Sequence, residues 1–127
     1  MSSLLKELGD FIIASGEAPS YTVLYDTRLE EPTNAVMLFE YPGVPTRDAH
    51  AAIRAVQLVV RSATYEESME VIYKLFALLD RPMDRVLWIT VDRYCIIQAK
   101  QTPFKLDVDK RQRIACCFNM LITTKRK

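Results

Sequence analysis

Glycine is scarce in this chain, with three in 127 residues. That scarcity excludes the glycine-rich loops that cradle phosphates, and no Walker or Gly-x-Gly-x-x-Gly pattern occurs. Histidine occurs once, as His50. Paired with Asp48 it could act as a general base, but a solvent-exposed loop residue is the expected reading. No Gly-x-Ser-x-Gly or His-Glu-x-x-His motif is present. The three cysteines, Cys95, Cys116 and Cys117, are odd in number and form no Cys-x-x-Cys or Cys/His cluster. A disulfide framework and a zinc site are therefore not expected, and buried free thiols are. Charge of one sign is missing too. Seventeen basic and sixteen acidic side chains leave +1, which gives no bulk attraction to nucleic acid or to an anionic membrane. No apolar run approaches the ~20 residues that span a bilayer. The opening Met-Ser-Ser-Leu-Leu-Lys-Glu lacks a signal-peptide layout, so a reducing cytoplasm is the expected place of synthesis.

What is present is an ordinary globular composition, half apolar and about a quarter charged. The length suits one domain over residues 1–127, large enough to bury roughly two-thirds of its unfolded surface without a staple. A near-neutral chain still needs solubility, and burying surface in an oligomer supplies it.

Apolar spacing predicts a helix over Leu4 to Ala14, capped by Ser2 or Ser3 and stopped by Gly16. A short edge strand follows at Tyr21 to Tyr25, then a charged loop, then a strand over Ala35 to Tyr41. Pro42, Gly43 and Pro45 open a loop that reaches His50. The segment from Ile53 to Ser62 alternates as a strand with Val56, Leu58 and Val60 on one face. Thr64 and Glu67 form a capping box for a helix that runs to about Leu79 and ends before Pro82. Two strands, Val86 to Val91 and Tyr94 to Ala99, are expected to meet at a tight Asp92-Arg93 turn. A charged connection over Leu106 to Arg113 leads to a closing strand from Ile114 to Thr124, with a frayed tail. The expected fold class is α+β: a mainly antiparallel sheet with two helices packed on one face.

Candidate chemistry is thin. Glu66-Glu67 is explained by the helix dipole, and Asp107 with Asp109 supplies too few oxygens for a metal. Arg81, Arg85, Lys105, Lys110, Arg111 and Arg113 could touch phosphates, but interleaved acids point as readily to an intersubunit ion-pair network. Trp88 is expected in the core rather than as a base-stacking platform. No catalytic residue, cofactor or metal site is assigned, so a non-enzymatic role is expected.

Three segments carry a resemblance: Pro32 to Gly43, Val56 to Ser68, and Gln101 to Asp109 followed by Arg113 and Phe118-Asn119-Met120. The most distinctive piece is Pro103-Phe104-x-Leu106-x-x-Asp109. Together they resemble the minor capsid, or tail-terminator, proteins of long-tailed phages. The resemblance implies a structural virion protein at the tail–neck junction, assembled in the host cytoplasm. It implies a ring, usually hexameric, that caps the tail tube, stops its polymerisation and presents the head-docking surface. Implied partners are other copies, the major tail tube protein and a head-completion or neck protein, with DNA passing through the lumen and no membrane involved. The alternatives are a neck adaptor of the same connector and a sequence-independent nucleic-acid-binding module. Candidate interface residues are Arg54, Gln57 and Arg61 on one mixed strand face, and Phe104, Lys105, Asp107 and Asp109 on the distinctive stretch, with Phe104 as anchor.

Overall fold

The computed structural model describes residues 3–44, 51–80 and 86–126. Helix α1 spans Leu4–Ser15. The Ser3 hydroxyl accepts from the Lys6 N–H, and Gly16 adopts the left-handed conformation (φ 72°) that ends the helix. Gly9 has a separate reason to be glycine. A Cβ there would lie 2.1 Å from the Tyr25 hydroxyl, so the helix packs against that ring only without a side chain.

Strand β1 (Thr22–Tyr25) leads into β2 (Ala35–Val44), then β3 (Ala51–Ser62). Helix α2 (Tyr65–Leu79) starts where the Thr64 hydroxyl accepts from the Glu67 N–H. Its two ends are pinned to the sheet. Ser68 donates to the Ile114 carbonyl, and the Asp80 carboxylate accepts from the Ala99 N–H. The rest is β4 (Leu87–Trp88), β5 (Arg93–Ala99), β6 (Phe104–Val108) and β7 (Ile114–Arg126).

The strands form one sheet in the order β1-β2-β3-β7-β5-β4, with β6 also paired to β7. The organising element is β7. One edge pairs with β3 along its length, and the other is shared in series by β6 and then β5. The sheet is mixed, because β1 runs parallel to β2 while the other ladders are antiparallel. An all-hairpin reading of the first strands fails because the connection at 26–34 is long enough to return the chain to the same end.

Other expectations change as well. The start of the expected Leu106 to Arg113 connection belongs to a strand, β6, and is followed by a turn in which Asp109 accepts from the N–H groups of Arg111 and Arg113. Arg93 belongs to β5, and the turn before it is organised by Thr90, whose hydroxyl accepts from the N–H groups of Asp92 and Arg93. Lys125 and Arg126 are paired to neighbouring strands rather than frayed. The proposed Pro42 to His50 loop is partly strand, and its remainder, with Asp48 and His50, lies outside the described residues, as do Arg81 and Arg85.

Register partners share a face of the sheet. Val36, Leu38, Val56, Leu58, Val60, Phe118 and Met120 join Leu4, Leu8 and Ile12 of α1 and Ile72, Leu75 and Leu79 of α2 in one large core. The opposite face holds a smaller cluster of Ala35, Met37, Val59, Ala115 and Cys117. Cys116 and Cys117 therefore face opposite ways, and all three cysteines are buried thiols. Trp88 is not core. Its register partner Tyr94 faces away from Leu87 and Cys95, so the two rings pack at a tilt of 50° with centroids 4.9 Å apart, and Trp88 is about half exposed.

Candidate interaction surface

The smaller face is built around arginine. Arg61, on β3 and 3% exposed, donates to three backbone carbonyls of the 26–34 connection: Pro32 at 2.6 Å, Thr33 at 3.3 Å and Glu30 at 3.4 Å. Arg113, 6% exposed, donates to the Glu30 carbonyl and pairs with the Asp109 carboxylate at 2.7 Å. Arg28 makes a two-pronged pair with Asp107 at 2.8 and 3.1 Å. Arg111 pairs with Glu31. The connection after β1 is thus tied to β3, to β6 and to the β6–β7 turn, which curls the sheet. The ion-pair network anticipated between subunits joins parts of one chain.

These contacts set the electrostatics. Burial lowers the pKa of Arg61, and the neighbouring Arg113 charge adds to the shift. The Arg111 hydrogen bond and charge hold the Glu31 carboxyl below its usual range. Burial pushes Asp109 up, but the N–H groups of Arg113 and Arg111 and the Arg113 guanidinium outweigh it, and the net shift is downward. Cys117, behind this region, is pushed up to about 11, chiefly by burial, with the charges of Cys116 and Asp107 adding to it.

The predicted interface residues separate into three places. Gln57 and Arg61 share a face, but Arg54 lies on the other and pairs with Glu40. Gln57 accepts from the Tyr41 hydroxyl at 2.8 Å. Arg61 is occupied as the clamp just described. On β6, Phe104 is 39% exposed and Lys105 is exposed, while Asp107 holds Arg28 and Asp109, in the turn that follows, holds Arg113.

Sequence reading missed the roles of Arg28, Glu30 and Glu31. Their partners lie some eighty positions away, and only the acid–base interleaving near residue 110 hinted at them. It also missed Glu7 and Arg93, a nearly buried pair at 3.0 Å in which Arg93 also donates to Thr124.

Leu106 and Val108 add to Phe104, so β6 presents an apolar, partly exposed stretch. Other exposed apolar groups sit on the β4–β5 turn (Trp88, Val91) and on α2 (Tyr65, Tyr73). Among the described residues no group of histidine, cysteine and carboxylate side chains could hold a metal. No described helix is long and apolar enough to cross a membrane.

A family model described as bacteriophage tail terminator protein matches residues 4–126. The chain belongs to that family. The match runs from α1 to the end of β7, so it covers both helices and the complete sheet. The family is structural and marks the chain as a virion component. No curated protein matches the chain.

Proposed function

We propose that the protein caps the phage tail tube as a homo-oligomeric, hexameric ring at the tail–neck junction. It stops tube polymerisation and offers the head its docking surface. The observation that carries this reading is family membership across the whole fold. A closed head-to-tail ring needs two different complementary patches on each subunit. The separate apolar exposures on β6, on the β4–β5 turn and on α2 supply such patches. Phe104 is the anchor we assign to one of them, with Lys105 beside it.

The partners are the major tail tube protein on one side and a head-completion or neck protein on the other. DNA passes through the lumen without base contacts. The mechanism is non-enzymatic: affinity and shape, with no bond made or broken. A dedicated nucleic-acid-binding module fits less well, because Arg28, Arg111 and Arg113 already hold carboxylates.

The test is electron microscopy of particles from phage whose copy of this gene is disrupted. Overlong tails detached from heads are expected. Free tails of normal length would move the protein to the head side of the connector and overturn the reading. Native mass spectrometry with tail tube protein present should show a ring, and a strict monomer under those conditions would sink it.

A further inference from the structure

We propose that a concavity beside the 26–34 connection is a docking pocket for one acidic side chain of a protein partner. The concavity holds about 360 Å³, and its lining sets Arg28, Arg61, Lys110, Arg111 and Arg113 against the acids Glu30, Asp107 and Asp109. Three of these cations have their own carboxylates: Arg28 has Asp107, Arg113 has Asp109 and Arg111 has Glu31. Arg61 does not. Among the described residues its bonds all go to carbonyl oxygens, made by Nε and Nη2. Its Nη1 takes part in none of them, and neither does the Nη2 of Arg113.

Arg61 is 3% exposed and bonded only to carbonyl dipoles; the Asp109 and Glu31 carboxylates act on it without pairing with it, so this buried cation lacks a counter-charge of its own. The like charge of Arg113 beside it sharpens the deficit. Lys110, exposed and without an ion pair among the described residues, adds a cation at the mouth. A planar carboxylate matches two guanidinium forks side by side.

The acids in the lining decide which anion fits. Glu30, largely exposed, and Asp107 and Asp109, each already paired with an arginine, are part of the lining. Those acids repel a polyanion such as a DNA backbone. They tolerate a single carboxylate on a slender arm, which can pass between them and reach Arg61. The pocket thus recognises a lone Asp or Glu in an otherwise uncharged or basic segment. It does not depend on the ring.

The experiment uses the isotope-labelled full chain and a terminally blocked peptide with one central glutamate, at physiological salt. The Nε–H resonances of Arg61 and Arg113 should shift saturably. Lys110→Glu should weaken the response roughly fivefold, because it reverses one mouth charge and leaves every clamp contact in place. Lys110→Gln should fall between the two, with backbone amides of α1 unmoved in both variants. Arginine signals that stay still, that respond equally to sodium chloride, or that are indifferent to Lys110→Glu would overturn the proposal. A short DNA duplex that shifts them more strongly than the peptide would also overturn it and assign the pocket to phosphate.

Discussion

The two faces of the sheet solve the same problem with different chemistry. On the helix side, aliphatic and aromatic side chains from α1, α2 and alternate strand positions close over one another. On the other side five small or slender residues are buried, beside a connection without helix or strand that is tied down by arginines. The first arrangement is non-directional, and its strength follows the apolar area removed from water. The second is directional. Arg61 must meet three carbonyls at once, and each bond forms only when the 26–34 connection takes one path. The helix face thus supplies most of the stability, while the arginine face holds one connection in a single shape.

Four measurements would break or sharpen that contrast. Phe118 is fully buried and meets Phe76 edge to face at 5.3 Å. Phe118→Ala should cost about 3–5 kcal/mol in urea unfolding, through lost transfer energy and the cavity left behind. Arg61→Ala should cost about 2–3 kcal/mol, since it leaves the Pro32, Thr33 and Glu30 carbonyls without their charged donor. Arg61→Lys should recover little of that, because an ammonium cannot reproduce the fork. If Arg61→Lys restores full stability, the face is held by charge alone and the directional account fails.

Cys117 tests burial behind the clamp. Its folded pKa lies near 11, above the ordinary thiol value of 9.0. The neutral thiol therefore favours folding fully below pH 9, and this contribution is lost as pH rises through 11. The unfolding free energy should drop more steeply over that window in the native chain than in Cys117→Ala. Parallel curves would mean that the thiol meets solvent. The smallest effect belongs to the Arg28–Asp107 pair, which is more than a third exposed on both sides. Asp107→Asn should cost less than about 1 kcal/mol by the same unfolding assay. A larger loss would show that this pair, rather than Arg61, anchors the connection.

How much of this was legible from residues alone follows the same division. Both helices could be read, because Ser3, Thr64 and Gly16 satisfy or terminate backbone groups within a few positions of themselves. The strand faces of β2, β3 and β7 could be read from alternation, since a strand's period of two needs no partner to be visible. β6 could not. Its sequence Phe-Lys-Leu-Asp-Val looks like a charged connection, and it is a strand because β7 offers it an edge. Trp88 was misjudged for a related reason. In a two-residue strand, which side faces the core depends on register with β5. In the candidate site, the assignment of Arg54 to the face of Gln57 and Arg61 was not met, because strand alternation puts it on the opposite face, in register with Ile122.

By itself, then, the sequence determined the helices and their caps, the buried alternate positions and the poverty of catalytic groups. These depend on local backbone satisfaction, on periodicity and on composition. Only the tertiary structure decided the parallel pairing of β1, the sharing of one β7 edge by β5 and β6, and the arginine clamp. Those rest on contacts between residues up to eighty-three positions apart, whose pairing is set by which surfaces remain once the core has closed.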